Sequence, residues 1–260
     1  VGCRSAQAPS AHSSVAAPPL LDQVLNTYLE ASGGREALLS VNDRLCTGRL
    51  TWQFPGQDPS EVVIPARIFA SGPEKWRLVL ETSVGPQGMG NDGSEGWVQN
   101  SDRIYVDNNQ RESKLAFLFS ARGPLYLADY FPDLNQVSRE TVGQQTVYRV
   151  ESHGSGREQE SLCFDARTGR LVQIGDDLKL GDYREIQGIT LPFRIEVTRG
   201  ENTATYTFDR IQHNVSLSPE KTSRPTPDQV FPDAFEGLAE TRVLPLLLDF
   251  PSGHEDMNVP

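Results

Sequence analysis

No apolar run in the chain approaches the roughly 20 residues that a membrane-crossing helix needs. The longest, Val243-Leu-Pro-Leu-Leu-Leu-Asp-Phe250, is too short and is interrupted by Pro245. Basic residues are scarce as well: 24 Lys and Arg stand against 35 Asp and Glu, for a formal net charge of -11. Such a chain lacks the clustered cations that repay counterion release on a phosphate backbone, which excludes a nucleic-acid partner. The same excess of acid disfavours adsorption on anionic lipid. The four histidines, His12, His153, His213 and His254, fall at no metal-ligand spacing, and the three cysteines form no paired motif. There is no Walker loop, haem attachment motif or Gly-x-Ser-x-Gly elbow. Gly85-Pro-Gln-Gly-Met-Gly90 is glycine-rich but opens no helix pattern that could cradle a phosphate. Asp176, Asp177 and Asp182 cluster around Lys179, which reads as a solvated loop rather than a calcium site. No catalytic residue, metal or cofactor is expected.

What is present begins with residues 1–18, rich in Ala, Ser and Pro and without periodicity, a flexible arm. Val1-Gly2-Cys3 matches the end of a bacterial lipoprotein signal, in which a small residue precedes a cysteine that receives lipid. That makes Cys3 a candidate lipid attachment site; a chain boundary falling there by chance is the alternative. An odd number of cysteines in an exported protein also allows Cys46 and Cys163 to pair in an oxidising periplasm, or to be small buried hydrophobes on strands.

From Leu20 the pattern turns helical. Leu21, Val24, Leu25, Tyr28 and Leu29 recur at three- and four-residue spacing until Gly33-Gly34, and Arg35 to Leu39 forms a second short helix. Most of the remainder reads as strand: 44–54, 61–70, 75–83, 96–100, 103–107, 146–151, 158–165, 170–174, 182–186, 191–198 and 203–211. An apolar, helix-compatible stretch over 112–135 interrupts them. In Leu191-Pro-Phe-Arg-Ile-Glu-Val-Thr198 the odd positions are apolar and the even ones mostly polar, so one face of the sheet is greasy and the other wet. The spacing, without helices between strands, predicts one antiparallel meander that hides its greasy face by curling into a barrel or half-barrel under helical lids.

Residues 21–38, Leu-Asp-Gln-Val-Leu-Asn-Thr-Tyr-Leu-Glu-Ala-Ser-Gly-Gly-Arg-Glu-Ala-Leu, followed by Thr47-Gly48, resemble the opening of the outer-membrane lipoprotein-sorting (LolA/LolB-like) superfamily. Asp92-Gly93-Ser-Glu-Gly-Trp97 resembles its "DG…GW" strand, and 182–194 with Asn214-Val-Ser-Leu-Ser-Pro219 its closing hairpin and exit. The resemblance covers roughly 20–225 and implies a mainly β fold: one unclosed antiparallel barrel of about 10–11 strands, with N-terminal and mid-chain helices as a lid over an apolar cavity. It divides the chain into the arm, a half-barrel domain over 19–223, and a Pro-rich apolar tail over 224–260. The carriers of this superfamily use a cavity arginine to control lid opening. Arg44 and Arg49 are candidates by position, with a surface charge the simpler reading of each.

Two functions follow. In one, the protein binds lipid or lipoprotein acyl chains on the periplasmic side of a bacterial membrane, driven by apolar burial at about 25 cal/mol per Å². Candidate lining residues on the earlier strands are Trp52, Ile64, Ile68, Trp76, Leu78 and Leu80, continued by Trp97 and Ile104; on the later strands they are Phe193, Ile195, Tyr206 and Phe208. In the other, it is a non-catalytic accessory subunit of a larger bacterial membrane complex, such as an electron-transfer or photosynthetic assembly. It would dock through the apolar residues of the tail: Phe231, Phe235, Leu238, Val243, Leu244, Leu246, Leu247 and Phe250. Membrane association would come from a lipid anchor or a partner.

Overall fold

Period-two alternation shapes nearly every element. A computed structural model describes residues 19–226 except 58–59, 102, 112 and 153–159. Cys3 and the nominated tail residues from Phe231 to Phe250 lie outside the described residues. Among the described residues no helix is long and apolar enough to cross a membrane.

Thirteen strands form one antiparallel sheet: β1 (Asp43–Gln53), β2 (Glu61–Ser71), β3 (Lys75–Thr82), β4 (Gly85–Asn91), β5 (Gly96–Gln99), β6 (Ile104–Val106), β7 (Leu134–Val142), β8 (Gln145–Ser152), β9 (Glu160–Asp165), β10 (Leu171–Ile174), β11 (Leu178–Ile186), β12 (Ile189–Arg199) and β13 (Asn202–His213). Their order is β6-β5-β4-β3-β2-β1-β13-β12-β11-β10-β9-β8-β7. The chain thus lays down one wing outward from β1, crosses over, and lays down the other wing inward to β13, which pairs with β1 in the middle. Among the described residues strands β6 and β7 are the free edges, so the barrel does not close. The segment between these two edges carries α3 (Lys114–Phe119) and α4 (Leu127–Tyr130). With α1 (Leu21–Ala31) and α2 (Gly34–Leu39), these helices cover the greasy face.

Thirteen strands exceed the ten or eleven anticipated, because β4 and β7 carry weak strand signals. Strand β7, Leu-Asn-Gln-Val-Ser-Arg-Glu-Thr-Val, is an edge with no fully buried residue. Strand β4 is glycine-rich because its neighbours are close. A Cβ at Gly88 would lie 2.0 Å from the Leu78 carbonyl oxygen, and one at Gly90 would lie 2.7 Å from the Trp97 ring. Turns follow the chemistry expected of them. Gln187 and Gly188 both take positive φ between β11 and β12. The Asp92 carboxylate accepts the Ser94 and Glu95 amides at 2.8 and 2.9 Å between β4 and β5.

Cys46 and Cys163 are free, buried thiols, which corrects the pairing considered above. They sit on opposite faces of the sheet. Cys46 shares the greasy face with Leu50 and Trp52, whereas Leu162 and Phe164, not Cys163, point that way from β9. Burial pushes the Cys46 thiol up to about 11.

Candidate functional site

The covered face of the half-barrel is where side chains of every layer meet. Ten of the twelve nominated lining residues lie there and are buried: Trp52, Ile64, Ile68, Trp76, Leu78 and Leu80 from one wing, Phe193, Ile195, Tyr206 and Phe208 from the other. Trp97 and Ile104 do not. Val98 and Tyr105, between them in register, face the core, which turns Trp97 and Ile104 to the other side. There Trp97 lies over Gly90, with the Arg77 guanidinium 5.6 Å from the ring centroid. The wing β8 to β11 adds a further apolar set that the sequence reading did not nominate, including Leu162, Phe164, Leu171 and Leu178.

Helix α3 covers the centre of this face. Its sequence, Lys-Leu-Ala-Phe-Leu-Phe, offers Leu115, Phe117 and Phe119 to the core, and Ser113 caps it by accepting the Ala116 amide at 3.0 Å. Phe119 fills the centre, its ring centroid 5.5 Å from Trp76 on β3 and 5.7 Å from Tyr206 on β13, both edge-on. Phe117 packs edge-on against Phe131 and Tyr130. From the N-terminal side, Tyr28 of α1 packs against Phe164 of β9.

Both ends of α3 are held by polar contacts. At its start, Lys114 Nζ lies 2.6 Å from Asp177 Oδ1 and 2.8 Å from Glu160 Oε1. Burial works against the ammonium charge, but these two carboxylates outweigh it and hold the Lys114 pKa above its ordinary value. At its end, Arg44 donates from Nη1 to the Ser120 carbonyl at 3.1 Å and from Nη2 to the Ala121 carbonyl at 2.6 Å. The Ser120 hydroxyl donates to the Pro73 carbonyl at 2.7 Å, and Arg122 Nε donates to the Val41 carbonyl at 2.7 Å. The helical segment is therefore pinned to the β1 end of the sheet through its own main chain.

Arg44 corrects the surface reading: it is 3% exposed, on the greasy face, one strand over from His213 and Ala70. Burial lowers its pKa, and a guanidinium keeps its proton in proteins. Its neighbour His213 is also buried, and desolvation together with the Arg44 charge pushes it down to about 4. Arg49 does behave as a surface charge, exposed and paired with Asp209 at 3.2 Å. Parity along β1 could have found Arg44, since positions 44, 46, 50 and 52 share a face. Nothing in the sequence marks the carbonyls it binds, because any residue supplies a carbonyl.

Asp177 and Asp182 of the acidic cluster have cationic partners, Lys114 and Arg184, and among the described residues no group of His, Cys, Asp and Glu is arranged to hold a metal ion.

No family model and no curated protein matches the sequence. Solved structures do match. A LolA superfamily protein from Nitrosomonas europaea aligns over 79% of this chain and 98% of its own at 12% identity, with a TM-score of 0.53. A putative outer membrane lipoprotein-sorting protein domain from Vibrio parahaemolyticus aligns over 77% of this chain and 96% of its own at 11% identity, with a TM-score of 0.52. Likeness at such identities speaks to backbone architecture, and in that respect the chain has the fold of the LolA superfamily: a half-barrel of antiparallel strands under a helical lid.

Proposed function

We propose that the protein binds the acyl chains of a lipid or lipoprotein between the half-barrel and α3, with α3 as a lid that lifts to admit them. The observation that carries this reading is the way α3 is attached. Its apolar side chains occupy the greasy face, yet its ends are held mainly by hydrogen bonds and ion pairs, which water can replace when the helix lifts. A section of ordinary core would be tied down by chain continuity or strand pairing instead. An acyl chain can take the place of Phe117 and Phe119, since burial of methylene groups at about 25 cal/mol per Å² offsets the apolar contacts that the helix gives up. The likeness to a lipoprotein-sorting domain supports the same reading. The role is binding rather than catalysis, on the periplasmic side of a bacterial membrane, with Cys3 as the point of lipid attachment.

The test uses a monoacylglycerol whose chain is brominated at its midpoint, a contact quencher of tryptophan. Trp52 and Trp76 lie on the covered face, Trp76 against Phe119 of α3, and Trp97 on the other, so saturable quenching should persist in Trp97→Phe and weaken in Trp76→Phe. Absence of saturable quenching, or quenching that disappears with Trp97, would show that no acyl chain enters beneath α3.

A further inference from the structure

The greasy face is not apolar throughout. At its β1 end a row of residues in direct register crosses five strands: His213 on β13, Arg44 on β1, Ala70 on β2, Trp76 on β3 and Asn91 on β4. All five are buried, none more than 5% exposed. Several of their polar atoms have no partner among the described residues: both ring nitrogens of His213, Nε of Arg44 and Nε1 of Trp76. Buried polar groups without partners are rare in folded proteins, and each one carries a desolvation cost.

Arg44 is the sharpest case. It is a buried cation whose hydrogen bonds go to two main-chain carbonyls, and among the described residues no carboxylate neutralises it. The nearest acid in sequence, Asp43, points to the other face and is engaged by the Val215 and Leu217 amides at 2.6 and 3.3 Å. A charge taken from water without a counter-charge is costly. Its fork of donors matches the paired oxygens of a carboxylate or phosphate.

We infer that Arg44 is the receptor for an oxyanion at the head of the bound acyl chain, and that the Ser120 and Ala121 carbonyls occupy those oxygen positions while α3 is down. The Trp76 indole N–H and His213, in the same row, supply further polar contacts to the head group. From Arg44 to Trp52 the greasy face of β1 runs for about 26 Å at 3.3 Å per residue, a length that a long acyl chain lying away from the head would span. The ligand class is then an anionic amphiphile, headed by either a carboxylate or a phosphate. This rests on the acyl-binding reading above and adds the polarity and position of the head.

The experiment measures displacement of the brominated monoacylglycerol at pH 8 by oleate, oleoyl lysophosphatidate and methyl oleate, three ligands with one chain and different heads. At least one anionic ligand should bind about tenfold or more tightly than the uncharged ester, as a charge-assisted hydrogen bond to a fork implies. Which of the two anions is tighter tells a carboxylate head from a phosphate head. In Arg44→Gln the preference should fall to about one, while the ester still binds, because loosening the lid affects all three ligands alike. Arg44→Lys, which keeps the charge and loses the fork, should fall between. Equal binding of ester and anions by the wild-type protein overturns the inference, needs no variant, and leaves the acyl-binding reading standing. A preference that survives in Arg44→Gln also overturns it. No binding of any of the three, nor of the brominated probe, overturns the acyl-binding reading itself.

Discussion

Replacing Phe119 by alanine separates a lid from a piece of core. The ring is 2% exposed and wedged between Trp76 and Tyr206, so truncation removes two edge-on aromatic contacts and leaves a void. Buried Phe→Ala changes cost about 3–5 kcal/mol. If α3 undocks as a unit, that loss falls on lid docking, and at about 1.4 kcal/mol per tenfold the opening equilibrium rises by about two to nearly four powers of ten, limited by the docking free energy itself. Native-state hydrogen exchange read by mass spectrometry distinguishes the outcomes. Peptides spanning 115–121 should exchange faster by that factor, while peptides from β1, β12 and β13 change little, because the strand ladder does not depend on α3. Equal acceleration of α3 and the central strands would show that the helix opens only with the whole fold, and the lid reasoning would fail.

His213 makes stability depend on pH. Its folded value of about 4 lies below the ordinary 6.5, so above pH 6.5 both folded and unfolded chains carry it neutral. As pH falls from 6.5 to 4 the unfolded chain takes up a proton that the folded one refuses, a loss of up to about 3 kcal/mol. His213→Gln should flatten urea-unfolding stability between pH 7.5 and 4.5 relative to wild type, and parallel profiles would refute the assignment. Gly48→Ala places a Cβ 2.1 Å from the Thr207 carbonyl oxygen across the β1–β13 seam, whereas at Gly181 nothing lies within 4 Å of the added carbon. Overpacking of about 1–3 kcal/mol should lower the melting temperature of Gly48→Ala by about 2–12 °C, with Gly181→Ala close to wild type. Cys46 and Cys163, both buried and both with raised pKa, should resist iodoacetamide in the native protein and react in denaturant without prior reduction. A requirement for reductant would contradict their free state.

The strands that could be read in the sequence are those with one wet and one greasy face, such as β12 and β13, where alternation reports burial directly. Two escaped for opposite reasons. Strand β7 is an edge, and edges have little buried surface to impose a pattern. Strand β4 packs so closely that glycine replaces the side chains that would show a pattern. For the site, ten of the twelve nominated residues fall on the covered face. Trp97 and Ile104 fall on the other, because an aromatic lying over a glycine on the far face looks like a core residue in one dimension. Arg44 was legible by parity but argued against by its charge. The lid carbonyls that explain it come from the other end of a long-range contact that local sequence does not record.

The pairing of β1 with β13 has a consequence for the order of events when the chain is made. Asn42 and Asn214, which bridge the ends of these strands, are separated by 172 residues. Until β13 is available, β1 presents an unpaired edge beside a half-built sheet, and contacts of such range close slowly. A chain translocated from its N-terminus would hold one wing open for nearly the whole passage, exposed to pairing with a second copy. The strand that seals the sheet is β13, so a nascent or truncated chain ending before residue 202 would lack it altogether, and completion of the sheet would wait on its arrival.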